Sequence, residues 1–159
     1  MREGLRPPET DAEWQSYHAI RRHVLFERRD RGASYEPKHP DEHRPGHYPL
    51  ILWHADAPVA VIRVDVDGDV AIFRRVAVRE ELQRQGFGRR LLALAEDFAR
   101  RHGCSRVDSH VDLGAVGFYE RCGFRRVAET MSKGETVLMS KQLEERRRRP
   151  SSPAPPDER

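Results

Sequence analysis

Cysteine, lysine and long apolar segments are scarce in this chain of 159 residues. Its two cysteines, Cys104 and Cys122, are too few for a disulfide framework or a four-cysteine zinc site, so we expect two reduced thiols. No apolar run approaches the ~20 residues of a membrane-spanning helix, and no apolar signal-peptide core follows Met1. These absences argue against secretion and a membrane partner, and we expect a cytoplasmic protein.

The apolar fraction is also low, at 37%, against 35% charged residues. An average soluble domain has roughly 45–50% apolar residues, so this shortfall predicts a polar appendage on an ordinary domain. The basic residues are nearly all arginine, acids are interleaved with them, and the net charge is only +3. Because a nucleic-acid binder concentrates basic residues on one folded face, we expect a small anionic ligand rather than nucleic acid.

The order of patterned segments predicts one domain over residues 1–143 and a disordered Arg/Pro/Ser-rich tail over residues 144–159. Helical periodicity covers 12–28, 86–103 and 115–122; strand patterns cover 48–53, 59–66, 70–78, 104–111, 124–132 and 135–143; a long loop covers 29–48. The helix between the third and fourth strands requires those two strands to run parallel. We therefore predict an α/β (α+β) fold: a mixed, mostly antiparallel sheet with helices on both faces.

A glycine-containing turn joins the third strand directly to the second helix. Gly86 and Gly88 allow close backbone approach, and the first N–H groups of a helix have no intrahelical partner. Together with Arg84, Arg89 and Arg90 they indicate an anion site that suits phosphate. The spacing matches neither a Walker loop nor the three-glycine dinucleotide motif. On the residues alone, a purely structural turn remains the alternative.

Two segments match known motifs in order. Gln83-x-x-Gly86-x-Gly88, following residues 76–78, resembles the Q/R-x-x-G-x-G/A acetyl-coenzyme-A motif of the GNAT N-acetyltransferase superfamily. Residues 112–124, from Asp112 through Tyr119 to Gly123-Phe124, resemble its second signature, N-x-x-A-x-x-x-Y-x-x-x-G-F. The resemblance covers about 50–139, and residues 20–26 resemble the ElaA-like branch.

The resemblance implies acetyl-CoA as cosubstrate, no metal, and a splay between the two parallel strands that admits the thioester. It also implies a direct attack of an amine on the acetyl group, with Tyr119 as the catalytic acid that protonates the departing thiolate. The residues that the resemblance assigns to the cofactor are Val76, Ala77 and Val78 for the pantetheine arm, Gln83, Arg84, Gln85, Gly86, Phe87, Gly88 and Arg89 for the pyrophosphate, and Asp112 and Tyr119 deeper in the slot. Packing in the core is the alternative role for Tyr119.

The chain departs from the family pattern at two places. Residues 71–75 hold no glutamate where many members keep their general base, and Asp65, Asp108 and His110 are the replacement candidates, with a solvated strand face as the alternative. Asp112 stands where the family has asparagine, so it keeps the acceptor atoms but loses the donor.

Three other features have simpler explanations. His39, His43 and His47 are spaced by four, but Pro40 and Pro45 forbid the helix that would align them for a metal, so we expect a solvated loop. Acids of the same loop, Glu36, Asp41 and Glu42, would attract a cationic amine if the loop borders the acceptor site. We expect no nucleophilic role for Cys122, because it follows a helix end rather than a helix start.

We therefore expect an acyltransferase that transfers an acetyl group from acetyl-CoA to a primary amine of a small molecule or peptide. A catalytically silent acyl-CoA-binding or sensing module is one alternative, and an RNA-directed (aminoacyl-tRNA) acetyltransferase is another. The sequence identifies neither the acceptor nor the oligomeric state, although many members of the superfamily form homodimers.

Overall fold

The computed structural model describes residues 1–26, 43–127 and 136–144. In chain order, its elements are β1 (Gly4–Arg6), α1 (Asp11–Arg21), β2 (His47–His54), β3 (Ala57–Asp67), β4 (Val70–Val78), α2 (Phe87–Arg101), β5 (Arg106–Asp112), α3 (Val116–Arg121), β6 (Arg125–Arg126) and β7 (Thr136–Gln142). A π-helical turn (Arg22–Phe26) extends α1, and single 3₁₀ turns (Glu80–Leu82 and Leu113–Ala115) precede α2 and α3.

The strands form one seven-stranded sheet in the order β1-β2-β3-β4-β5-β7-β6. Every neighbouring pair is antiparallel except β4 and β5, which run parallel with α2 as their crossover. This topology confirms the predicted mixed, mostly antiparallel sheet and its single parallel pair. The short β1, which adds to the edge at β2, was not predicted, because three residues are too few for a hydropathy pattern.

Helix α1 begins where the sequence predicts. Thr10 is its N-cap, and its hydroxyl accepts a hydrogen bond from the Glu13 N–H at 3.1 Å, which satisfies one of the free donors of the first turn. The prediction of one continuous α-helix over 12–28 is wrong at its C-terminal end. The α-helical bonding ends at Arg21, and the π-helical turn follows. Residues 27 and 28 lie outside the described residues.

Apolar side chains cover both faces of the sheet, as predicted. On one face, which we call the α2 face, α2 and α3 pack through Leu91, Leu92 and Tyr119 against Phe73 and neighbouring strand residues. On the other, the α1 face, the side chains of α1 pack on the sheet: Tyr17, Ile20, Ile51, Trp53, Val61 and Ala77 form a smaller apolar cluster. Alternation along each strand divides the residues between the two faces.

Several predicted segments fall partly or wholly outside the described residues. The loop predicted over 29–48 is described only from His43, and β2 already begins at His47. The acids Glu36, Asp41 and Glu42, expected to draw a cationic amine, lie outside the described residues. Of the strand predicted over 124–132, residues 124–127 are described, with β6 at Arg125–Arg126, and the tail after residue 144 lies outside. Within the described residues, no helix is both long enough and apolar enough to span a bilayer.

Candidate functional site between two parallel strands

A slot opens between β4 and β5 because the two strands pair over only part of their length. Their parallel register runs from Val70 beside Arg106 to Phe73 beside Ser109. Both strands continue, to Val78 and Asp112, but among the described residues no β4–β5 pairing is recorded beyond Phe73. The predicted splay is therefore present, and its apex lies at Phe73 and Ser109.

The wall of the slot on β4 is an unpaired backbone edge. The Arg79 N–H donates to the Val59 carbonyl of β3 at 2.9 Å. Because N–H groups alternate in direction along a strand, Ala77 also points its backbone towards β3, whereas Val76 and Val78 point theirs towards the slot. Of the three residues predicted for the pantetheine arm, Val76 and Val78 thus offer backbone groups to a ligand, and Ala77 packs its methyl group on the α1 face.

A β-bulge displaces β4 at the apex of the slot. The β3–β4 register shifts between Val61 and Arg63, and Arg75 adopts a positive φ of 59°. A non-glycine residue in this left-handed region costs of the order of 1 kcal/mol. Such residues persist where the surrounding structure holds them, and they cluster at functional sites. The bulge at Arg75 follows two residues after Phe73, where the parallel pairing of β4 with β5 ends.

The open end of the slot leads into the glycine turn at the start of α2. Gly86 has φ 91°, and its carbonyl accepts from the Arg90 N–H at 3.1 Å, the first bond of the helix. The N–H groups of Phe87, Gly88 and Arg89 therefore have no partner within the helix, and with the helix dipole they favour an anion. The turn is closed by the Gln83 side chain, which donates to the Val78 carbonyl at 3.0 Å.

The residues of this turn divide into exposed and packed ones. Arg84, Gln85 and Arg89 are exposed, and no ion pair of Arg84 or Arg89 is recorded within residues 1–26, 43–127 and 136–144. Arg90, by contrast, bonds to His54 at 3.3 Å and Glu3 at 3.4 Å, so it contributes less to an anion site than the sequence suggested.

At two positions of the turn, the side chain, or the lack of one, serves packing, while the backbone N–H group still faces the anion site. Phe87 lies against the His54 ring, with 5.2 Å between ring centroids, and packs on the main apolar cluster. At Gly88, an added Cβ would lie 3.1 Å from the Phe118 ring, which is tighter than ordinary contact. Glycine therefore lets α2 approach α3 closely, which fixes the helix start beside the slot.

Tyr119 lies on the α2 face of the apex. It is only 6% exposed, and its ring makes edge contacts with Phe118 and Phe124. Its hydroxyl shares a hydrogen bond with Ser109, whose own hydroxyl donates to the Phe73 carbonyl at 3.0 Å. Burial raises the pKa of Tyr119, against the smaller opposing effect of the Ser109 bond, so the phenol stays protonated.

Ser109 is therefore a site residue that sequence reasoning missed. It lies on the buried face of β5, and the parallel register that sets it beside Phe73 is visible only in the fold. The chain Tyr119–Ser109–Phe73 joins the predicted acid to the last paired residue of β4.

The three candidate bases lie on the opposite, α1 face, in different surroundings. Asp65 accepts from Arg63 at 2.8 and 3.0 Å and from Arg74 at 2.8 Å, with His47 at 3.5 Å. This position of His47, in β2, corrects its prediction as part of a solvated loop. Both carboxylate oxygens of Asp65 are thus occupied.

Asp108 and His110 differ in the same way. Asp108 accepts from Arg106 at 3.1 and 3.3 Å and from the Ser140 hydroxyl at 2.8 Å. His110 is exposed and lies one residue beyond the apex, across from Arg74 in the extended register. His110 is the candidate that the structure leaves open to a ligand, and it lies beside the apex of the slot.

The remaining predicted residues lie at the edges of the site. Asp112, half-buried, ends β5 at the far end of the slot and precedes the 3₁₀ turn Leu113–Ala115. Burial raises the pKa of the Cys122 thiol, which keeps it protonated. Within the part of the chain that the structure describes, no group of three His, Cys, Asp or Glu residues is placed to hold a metal ion.

Comparison with known proteins gives consistent matches. The family model of the acetyltransferase (GNAT) family matches residues 11–124. A Bacillus subtilis protein named as an acetyltransferase is 30% identical over 95 residues, which are 58% of this chain and 65% of that protein, so this chain spans less than two thirds of its relative.

Solved structures share the fold. An N-acetyltransferase structure from Lactobacillus plantarum superposes with a TM-score of 0.72 at 28% identity, covering 89% of this chain and 100% of the other. Escherichia coli ElaA gives 0.71 at 20% identity, covering 84% and 92%. The PaiA N-acetyltransferase of Thermoplasma acidophilum, solved with coenzyme A, gives 0.72 at 14% identity, covering 89% and 99%. At these identities, the ElaA and PaiA matches concern the fold alone.

Proposed function

The chain belongs to the GNAT acetyltransferase family, and we propose that it transfers the acetyl group of acetyl-CoA to a primary amine. The observation that carries this proposal is the slot itself: an unpaired backbone edge on β4 that leads into a glycine turn with free N–H groups and two exposed arginines, Arg84 and Arg89. A chain of amides that ends in a pyrophosphate has the chemistry that these groups would bind.

The parts of the slot fit the parts of acetyl-CoA in order. Val76 would exchange backbone hydrogen bonds with the pantetheine amides, and Val78, whose carbonyl already accepts from Gln83, would offer its N–H. The N–H groups of residues 87–89, together with Arg84 and Arg89, would hold the pyrophosphate. The slot would then direct the thioester towards the apex at Phe73 and Ser109. The coenzyme A bound to PaiA, a protein of the same fold, supports this assignment.

Acetyl-CoA supplies an acetyl group activated as a thioester. The amine nitrogen forms the new C–N bond, the C–S bond breaks, and one proton passes from the amine to the protein or solvent while another reaches the departing sulfur. Tyr119 is the proton donor that we assign to the sulfur, because its phenol is buried beside the apex and protonated. Ser109 holds the phenol in place, and it can donate to the phenolate oxygen only by giving up its own bond to the Phe73 carbonyl.

The amine must arrive neutral, and we assign His110 as the group that accepts its proton. Asp65 and Asp108 are each neutralised by an arginine, so neither is a free base. His110 is exposed beside the apex on the α1 face, opposite the face that Tyr119 occupies. An acceptor entering from the α1 face would therefore meet a proton acceptor on its own side and a proton donor beyond the thioester.

Calorimetric titration with acetyl-CoA tests the cofactor site. Gly86 has a positive φ and nothing within 4 Å of an added Cβ, and Asn and Asp are among the residues that adopt a positive φ most often after glycine, so both variants carry backbone strain of the same kind. Gly86→Asp and Gly86→Asn are therefore matched variants that differ in one charge beside the expected pyrophosphate. We expect micromolar binding by the natural protein, a change of no more than severalfold in Gly86→Asn, and at least tenfold weaker binding in Gly86→Asp.

The other outcomes separate the alternatives. Failure of the folded natural protein to bind acetyl-CoA would overturn both the transferase and the sensing module. Binding without turnover on any primary amine would favour the catalytically silent module. RNA binding with a steep salt dependence would favour the RNA-directed acetyltransferase.

A further inference from the structure

Lys141 of β7 carries a charge on the α2 face that the proposed reaction does not use. Its ammonium donates to the Glu96 carboxylate of α2 at 2.9 Å and to the Cys122 carbonyl at 2.8 Å. The side chains of Glu96 and Lys141 are 8% and 25% exposed. Both charges lose water when such a pair forms, so the pair is weak evidence for stability by itself. What it does provide is a fixed position for the ammonium.

This ammonium lies at the C-terminal end of α3, because Cys122 is the C-cap of that helix. The last carbonyls of a helix have no intrahelical partner and carry the negative end of its dipole, so a cation is favourable there. Lys141 therefore joins three elements: its own strand, α2 through Glu96 and α3 through the Cys122 carbonyl.

Gly123 leaves room for this link. A Cβ added there would lie 3.1 Å from both Cε and Nζ of Lys141, and the φ of Gly123 is 95°. The group that would have to move is the ammonium itself, which two bonds hold in place. The glycine of the second signature thus meets two requirements here: it ends α3 in the left-handed region and it lets Lys141 pass.

Helix α3 depends on such contacts because it is short. It has six residues, and its N-cap is Ala115, whose methyl group cannot accept a hydrogen bond. Local bonding alone does not sustain a helix of this length, so tertiary contacts must hold it. The carbonyl of Tyr119 accepts from the N–H groups of Cys122 and Phe124 at 3.0 Å each, so the residue that Lys141 fixes is bonded directly to Tyr119.

We infer that Lys141 is a positioning residue: by tying the end of α3 to α2 and β7, it holds the Tyr119 phenol at the apex of the slot. This inference rests on the proposed function, in which Tyr119 is the proton donor. Ser109 fixes the oxygen of the phenol, and Lys141 fixes the backbone from which the ring extends. A displacement of about 1 Å can lower a rate roughly 10²-fold, so loss of the anchor should slow the reaction although the phenol remains.

The test compares variants that differ only in the bond to α3. Lys141→Met alone would leave the Glu96 carboxylate buried without its counter-charge and destabilise the fold, so it is made together with Glu96→Gln. Glu96→Gln alone is the matched control, because the ammonium keeps the Cys122 carbonyl. With saturating acetyl-CoA and amine, we expect kcat to be at least tenfold lower in the double variant than in Glu96→Gln, with KM for acetyl-CoA unchanged. Circular dichroism checks that both variants are folded.

Tyr119→Phe separates positioning of the phenol from a general loosening of the fold. If Lys141 acts through the phenol, adding Lys141→Met to a protein that carries Glu96→Gln and Tyr119→Phe should leave kcat unchanged within about twofold. An equal loss with and without the phenol would overturn the inference. So would equal kcat values in Glu96→Gln and the double variant.

A spectroscopic measurement decides the inference if no amine is acetylated, in which case the proposed function fails by itself. In NMR spectra of protein with ¹³C-labelled tyrosine rings, Tyr119→Phe identifies the Tyr119 signal by its loss. The double variant should shift or broaden this signal relative to Glu96→Gln, while the signal of Tyr17, on the α1 face, stays in place. An unmoved Tyr119 signal would show that α3 holds the ring without Lys141, which overturns the inference.

Discussion

The two faces of the sheet meet the same slot with opposite chemistry. On the α2 face, the apex is closed by Tyr119, Phe73 and Phe124, and the polar atoms there form one short chain through Ser109. On the α1 face, the apex is bordered by charged side chains, with Arg74 and His110 exposed. A buried phenol and an exposed imidazole on opposite sides of one thioester would separate the proton donor from the proton acceptor.

This difference follows from what covers each face. Helices α2 and α3 pack over the parallel strands and exclude water from Tyr119, so its pKa rises. Helix α1 packs against Ile51 and Trp53 of β2 and Val61 of β3, away from β5. With the proton donor and proton acceptor that we propose, the acceptor would enter from the α1 face, because packed helices fill the α2 face.

The largest effect is expected for the buried side of the slot. Tyr119→Phe removes the phenol oxygen and keeps the ring, so acetyl-CoA should still bind while kcat falls roughly 10²–10⁴-fold, the usual contribution of a positioned acid. Single-turnover kinetics with saturating acetyl-CoA measure this loss. Ser109→Ala is the control: it keeps the phenol, and it should lower kcat less than Tyr119→Phe does. An unchanged kcat in Tyr119→Phe would show that the tyrosine is a packing residue.

The sequence predicted the turn on the buried side because the requirements of a turn are local. The spacing of Gln83 and Gly86 reflects a strand that runs directly into a helix, and neighbouring residues suffice to recognise it. The contact of Gly88 with Phe118 joins two helices and was not predicted. The charged side was not predictable in the same way, because Arg63, Asp65 and Arg74 come from two strands and meet only through the antiparallel register. Asp65 consequently looked like a free base in the sequence.

The buried pair on the charged side should matter for stability more than for chemistry. Asp65→Asn removes the carboxylate that accepts two hydrogen bonds from the buried Arg63 guanidinium, and removing one partner of such a pair costs about 3 kcal/mol or more of the free energy of unfolding. Urea denaturation followed by circular dichroism measures this change. Asp108→Asn is the matched control: with Arg106 43% exposed, its loss should cost less than about 1 kcal/mol. Equal losses in the two variants would contradict the difference in burial on which the comparison depends.

The smallest effect, and the one that separates the two sides most directly, is expected for His110. An exposed base can be replaced in part by water, so His110→Gln should lower kcat by about tenfold, near or below the low end of the range for general bases. Steady-state kinetics with saturating acetyl-CoA and amine measure this loss. Asp108→Asn, on the same strand and face, should keep the kcat of the natural protein, because its carboxylate is already bonded to Arg106 and Ser140. A kcat unchanged in His110→Gln would leave water as the proton acceptor on the α1 face and reduce the contrast between the two faces to the buried acid alone.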